Sequence, residues 1–196
     1  MKEDDRDRLS KLLPLEQEDF ERFYGRVLFK EIPAGTILLS EGETATKIYL
    51  VVRGCLRGYF IKENGREITS QFFIENQMVS SFESVMTKKP SRMYIDAIED
   101  STIGIISFRE LERLIAGTPS ARDHFDKFLM TRLIFYMNQH ASFILDSPEK
   151  RYRNLMRENP ELVSRVPQQY IASYLGITPV SLSRIRARIK KKINNR

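Results

Sequence analysis

The chain has 196 residues, of which 41% are hydrophobic and 30% charged, and carries a formal net charge of +6 at neutral pH. This balance suits a globular protein with one or two cores and excludes a disordered chain, and no apolar run approaches the roughly 20 residues of a membrane span. Cys55 is the only cysteine, and His124 and His140 are the only histidines. An internal disulfide, a thiolate-held iron–sulfur cluster and a histidine metal site are therefore not expected, and no cofactor is assigned. The N-terminus, MKEDDRDRLSKLL, lacks a signal-peptide core, which predicts a cytoplasmic protein.

Residues 6–24 place Leu9, Leu12, Leu13, Phe20 and Phe23 at helical spacing. From Val27 to about Phe108 the pattern changes to short apolar or alternating runs. Strands are predicted over 27–32, 36–39, 47–52, 56–62, 66–74, 92–98 and 102–107. Turn residues separate them, and Asn64-Gly65 is a strong hairpin signal. Many short strands at regular spacing indicate an antiparallel barrel or sandwich.

A long helix follows, from about Ser120 to Leu145. Phe125, Leu129, Leu133, Tyr136, His140 and Ile144 form one stripe on it. Met130, Ile134, Met137, Ala141 and Leu145 form a second beside it. One apolar stripe serves a surface helix, and two imply two partners. The reading preferred is that one stripe covers the chain's own barrel and the other pairs with a second copy in a parallel homodimer. Burial inside a monomer is the alternative. Ser147 and Pro148 then read as the N-cap and first position of a basic helix over 148–158, after a hinge at Asp146.

Residues 168–188, QQYIASYLGITPVSLSRIRAR, read as two short helices around a tight turn. Ile171, Ala172 and Leu175 are the inner positions of the first helix. Gly176 stands where a residue tolerating positive φ is needed. Thr178 is a good N-cap, Pro179 suits the first helical position, and Leu182 and Ile185 face inward on the second helix. The small Ala172 permits close approach, and with Gly176 four residues on it marks a DNA-binding helix-turn-helix. An ordinary helical hairpin with a basic surface is the bland alternative. Charge favours DNA: residues 147–196 hold 12 Lys and Arg against 3 Asp and Glu, a net of +9, while residues 1–146 hold 20 against 23. No apolar face accompanies the basic tail KKKINNR, so nucleic acid is preferred to membrane lipid.

A small β-barrel, a long helix and a C-terminal helix-turn-helix, in that order, resemble the Crp/Fnr family of bacterial transcription regulators over nearly the whole chain. In the barrel the resemblance rests on IPAGTILLSEGETATKIYLVVRGCLRGYFIKENGREI, with Gly35, Gly42-Glu43, Tyr49 and Gly54 at the expected turns and core position. It implies an α+β chain in three parts. Residues 1–118 would be an antiparallel β-barrel (double-stranded β-helix or jelly roll) acting as a cyclic-nucleotide-binding-like effector domain. Residues 119–146 would be a dimerisation helix and 147–196 a winged-helix-like helix-turn-helix domain. The function implied is transcription regulation by a homodimer that binds double-stranded DNA and works with RNA polymerase, without enzymatic activity.

The effector is less legible. In members that bind cyclic AMP, a Gly-Glu pair holds the ribose and an Arg-Ser pair holds the cyclic phosphate. The matching stretch here is QMVSSFESVMTKKPSRMYIDA. Ser80-Ser81 replaces the first pair and Arg92-Met93 the second, so only Arg92 survives, with Glu83 as a carboxylate that could take over. The helix positions that would meet the adenine correspond to the bulky Phe135 and Tyr136. The expectation is a regulator that does not respond to cyclic AMP and whose effector is unidentified. A regulator using Arg92 for a cyclic nucleotide or another small anion is the alternative, and a cupin-like barrel enzyme is a remote one, since the barrel contains no histidine. On the DNA side, Pro179, Val180, Ser181 and Arg184 are predicted nearest the base edges. Gln168, Thr178, Arg186 and Arg188 are predicted on phosphates.

Overall fold

A computed structural model describes the backbone of residues 3–12 and 15–194 and the side chains of 6–10 and 15–192. Leu13 and the side chain of Leu12 lie outside it. The chain divides into two compact units, Met1–Tyr59 with Phe72–Leu133 and Phe60–Gln71 with Ile134–Arg196.

In chain order, α1 (Glu3–Leu12) and α2 (Gln17–Tyr24) precede β1 (Leu28–Ile32), β2 (Ile37–Leu39), β3 (Lys47–Arg53), β4 (Leu56–Ile61), β5 (Glu67–Phe73) and β6 (Gln77–Val79). After α3 (Phe82–Thr87) come β7 (Tyr94–Ala97), β8 (Ser101–Ser107) and α4 (Phe108–Gly117). The strands form two four-stranded sheets, ordered β1-β8-β3-β6 and β2-β7-β4-β5. The pairings β1–β8, β3–β8, β3–β6, β2–β7 and β4–β7 are antiparallel. The architecture is thus a pair of sheets over one core, a jelly-roll-like arrangement, with Ile48, Leu50 and Ile103 from the first sheet and Leu56, Ile95 and Ala97 from the second.

Seven of these strands fall where the alternation predicted them. The eighth, β6, has three residues, too few to show a period, and follows the left-handed Asn76. Helix α4 was not anticipated either, although Ser107 caps it by accepting from the Glu110 N–H at 3.2 Å. Strand β3 is buried at five consecutive positions, Ile48–Val52. Leu9, Phe20 and Phe23 of the N-terminal helices join the same core, and Arg8 donates to the Val52 carbonyl at 3.5 Å. The turn into β4 depends on Gly54, whose φ is +101°. A Cβ there would lie 2.1 Å from the Ser101 hydroxyl oxygen.

The second unit takes the C-terminal half of α5 (Pro119–Leu145), then α6 (Pro148–Glu158), α7 (Pro160–Arg165), α8 (Gln168–Tyr174) and α9 (Pro179–Asn194). Ser147 caps α6 as predicted, accepting from the Lys150 N–H at 3.3 Å. Helix α7 lies in a stretch to which the sequence assigns no element; Pro160 takes its first position, and it buries Leu162. Tyr152, Leu155, Leu162, Val166, Ile171, Ala172, Leu175, Leu182, Ile185 and Ile189 are the buried apolar side chains of this unit. Among the described residues no strand follows β8.

The tip of the β4–β5 hairpin belongs to this second unit. The Ser173 hydroxyl donates to the Glu67 carbonyl (3.0 Å) and accepts from the Thr69 N–H (2.9 Å), while Gln139 donates to the Ser70 carbonyl (3.1 Å).

Candidate nucleic-acid interface

The helix-turn-helix is closed by backbone hydrogen bonds that its sequence dictates. The Ile177 N–H reaches the Ala172 carbonyl at 2.9 Å, and the Gly176 N–H reaches Ser173 at 3.0 Å. This double bond is a Schellman end to α8, and it needs a left-handed residue at Gly176, whose φ is +69°. A Cβ at Gly176 would also meet the Phe143 ring at 3.1 Å. Ala172 is fully buried, as the close crossing of α8 and α9 requires. Helix α9 then starts as predicted: Thr178 Oγ1 accepts from the Ser181 N–H at 3.2 Å and Pro179 takes the first position.

Leu182, Ile185 and Ile189 turn inward along α9. Pro179, Val180, Arg184, Arg186 and Arg188 are exposed, as are Thr178 and Gln168, and Ser181 is half-buried beside Thr178. Val180 is 60% exposed, a large apolar side chain offered to solvent at the start of the helix. An open groove of about 850 Å³ runs between the N-terminus of α6 and α9, with Ser181, Arg184 and Arg188 on one wall and Ser147, Pro148 and Glu149 on the other.

Two residues that the sequence did not single out organise this surface. Arg151 donates to the carbonyl of Asp146 (2.7 Å) and to that of Leu175 (2.9 Å), and lies 4.7 Å from the centre of the Phe143 ring. Glu149 accepts from Arg153 at 3.0 Å and also faces Arg188 (3.6 Å) and Lys192 (3.8 Å). The Arg153 hydrogen bond, aided by the Lys192 and Arg188 charges and opposed by partial desolvation, holds the Glu149 carboxyl below its usual range. Asp146, bonded by Lys150 and Ser142, is lowered likewise. Neither was visible in sequence because each depends on helices packed 24 to 43 residues apart in the chain.

Helix α5 corrects the expected division of its faces. The side turned to its own chain is the row Ala121, Phe125, Phe128, Arg132, Phe135, Gln139 and Ser142, a mixed stripe and neither of the two apolar ones. Phe125, predicted at a dimer contact, is instead in the core of the first unit, 6.1 Å from Phe128. Polar members are accommodated because Arg132 lies over the Phe73 ring and Gln139 finds a backbone carbonyl. Apart from Phe125, both apolar stripes consequently face out. Leu133 is 53% exposed and Met137 62%, and Leu129, Met130, Ile134, Tyr136, His140 and Ile144 are exposed too. The Tyr136 hydroxyl donates to Gln71 at 3.1 Å.

The candidate effector residues are less unified. Ser80 and Ser81 are buried, and the Ser80 hydroxyl donates to the Lys47 carbonyl at 2.8 Å. Glu83 and Arg92 are exposed, and Met93 is half-buried over Gly58, where an added Cβ would lie 3.0 Å from its sulfur. Beside them, on β4 and β7, the cross-strand neighbours Arg57 and Asp96 form a buried two-point ion pair at 3.0 and 2.6 Å. Tyr59 and Tyr94 stack at 5.1 Å, and the Arg57 guanidinium sits 4.0 Å from the Tyr59 ring centre. Phe135 and Tyr136 lie in the second unit, edge to face at 5.7 Å.

Residues 29–118 match the cyclic nucleotide-binding domain model. The Anaerobic regulatory protein of Haemophilus influenzae is 24% identical over 173 residues, a match covering 83% of this chain and 66% of that protein. The chain thus spans just under two thirds of the length of that relative. Among solved structures, FixK2 from Bradyrhizobium japonicum superposes with a TM-score of 0.75 at 16% identity, covering 85% of each chain. CLP, a c-di-GMP responsive global regulator from Xanthomonas campestris, gives 0.73 at 17% identity over 90% of this chain and 93% of its own. No described helix is long and apolar enough to cross a membrane. Over residues 29–118 the chain is thus similar to a cyclic nucleotide-binding domain, and its fold is similar to those of FixK2 and CLP.

Proposed function

We propose that this chain is a homodimeric, sequence-specific DNA-binding transcription regulator of Crp/Fnr type that does not respond to cyclic AMP. The observation that carries the reading is the capped helix α9, held by the Gly176 turn, with Val180, Arg184 and Arg188 exposed within the segment that holds all the chain's excess positive charge. The working division is an effector domain over 1–118, a dimerisation helix over 119–146 and a DNA-binding domain over 147–196. Such a protein works in the cytoplasm, has no enzymatic role and meets RNA polymerase at its promoters.

In this reading α9 enters the major groove N-terminus first. Arg184 is the long donor near the base edges and makes a bidentate contact to guanine, Val180 meets a thymine methyl, and Gln168, Thr178, Arg186 and Arg188 hold phosphates. Arg184→Ala costs about 1–3 kcal/mol on the selected site and relaxes preference at one base pair. Arg188→Ala weakens all sequences alike and makes the salt dependence shallower. Selection from a randomised duplex library with each variant tests both. An unchanged motif with Arg184→Ala, and an altered one with Arg188→Ala, would reverse the two roles.

For the effector, Ser81 removes a charge-assisted hydrogen bond worth roughly 1.5–3 kcal/mol, and Ser80 is already committed to Lys47. Calorimetry with cyclic AMP is expected to show no binding at ordinary cellular concentrations. A low-micromolar affinity would overturn this and direct attention to Glu83. One observation favours a second reading, an anion-responsive regulator: Arg92 is exposed and has no ion-pair partner among the described residues.

A further inference from the structure

We propose that Glu149 is an internal counter-ion that weakens the protein's grip on DNA phosphates in general, a proposal that rests on the DNA-binding reading above. Glu149 stands in the first turn of α6, where an anion suits the helix end. That turn is already capped by Ser147, however, and the Glu149 carboxylate is directed to side chains: Arg153 at 3.0 Å on its own helix, and Arg188 (3.6 Å) and Lys192 (3.8 Å) on α9. It is also the only acidic residue among those lining the groove that Arg184 and Arg188 line.

The two contacts to α9 are long, and the side chains of Arg188 and Lys192 remain 63% and 70% exposed. Ion pairs of that kind exchange partners readily. A phosphate arriving in the groove therefore competes with the carboxylate for Arg188 and Lys192. When it succeeds, Glu149 is left beside it with its negative charge. Four charged side chains meet here, three basic and one acidic, so the cluster offers the phosphates a net +2 where Gln at this position would give +3. The penalty falls on every sequence equally, because phosphates carry no sequence information. A protein that must leave non-specific DNA dissociates from it more readily with such a brake, while the ratio of specific to non-specific affinity, set by the base contacts, is unchanged.

The test uses the full chain with Glu149→Gln, which keeps an acceptor for Arg153, on a short duplex of unrelated sequence. Binding is expected to tighten roughly three- to tenfold at 0.1 M salt, with the salt slope steeper by about 0.9 per protomer. The gain is expected to disappear when Arg188→Gln and Lys192→Gln are added. Unchanged or weaker binding with an unchanged slope overturns the proposal, as does a gain that survives those two changes in full. Glu149→Ser, compatible with a helix first turn, carries the same expectations if the Gln variant folds poorly by circular dichroism. A wild-type chain that binds no duplex would instead sink the DNA-binding reading itself.

Discussion

Leu133→Glu is expected to turn the protein into a monomer and to lower its affinity for a duplex with two half-sites by roughly 10²- to 10⁴-fold, the factor lost when two linked contacts become one. Leu133 lies in the middle of α5 and is 53% exposed in the single chain, so a carboxylate there can stay in water without entering the protomer's core. Met137 and Ile134 flank it, at 62% and 52% exposure. A helix that leaves this many apolar side chains in water needs a partner, and a second copy of the same helix is the symmetrical solution. Charge on that face would force two carboxylates together in the pair. Light scattering reads the mass, and titration on one and on two half-sites reads the loss. A variant that stays dimeric and binds normally would move the dimer contact off this helix.

Asp96→Ala is expected to destabilise the first unit by about 3–5 kcal/mol, because it removes the two-point carboxylate partner of the buried Arg57 guanidinium. The side chain of Arg57 is 2% exposed and that of Asp96 11%, and the strand register holds them directly opposite each other. In a protein of this size the loss corresponds to a fall in Tm of roughly 6–20 °C. Replacing both partners, Arg57→Met with Asp96→Leu, should restore most of the stability, since no isolated charge then remains. Denaturant titration of the two variants decides the matter. Equal loss in the single and double variants would mean that the pair contributes through its geometry rather than its charges.

Much of this architecture was legible because local chemistry and tertiary structure agree. Asn64-Gly65 announces a hairpin, and the chain turns there with Gly65 at φ +75°. Gly176, Thr178 and Pro179 each carry out the local task their side chains suit. The misses share a cause as well. Gln77–Val79 is too short to display a period, and the faces of α5 were assigned on the assumption that apolar means inward. Arg132 and Gln139 take inward positions because an aromatic ring and a backbone carbonyl await them, and neither partner is a neighbour in sequence. At the candidate site, the exposed row on α9 could be read from its 3.6-residue period. Arg151 and Glu149 could not, because their roles arise only when α6, α8 and α9 are packed together.

Arg151 gives the junction after α5 a mechanical character. One planar guanidinium ties the carbonyl of Asp146, just beyond the end of α5, to that of Leu175, at the turn before α9. Phe143 backs the group on one side, and the same ring would crowd a Cβ at Gly176. A lysine could not take over, since a single ammonium on a flexible stem lacks the fork that sets both carbonyls at a fixed span. The junction that the proline-marked sequence suggests as a hinge is thus braced by one side chain within the second unit.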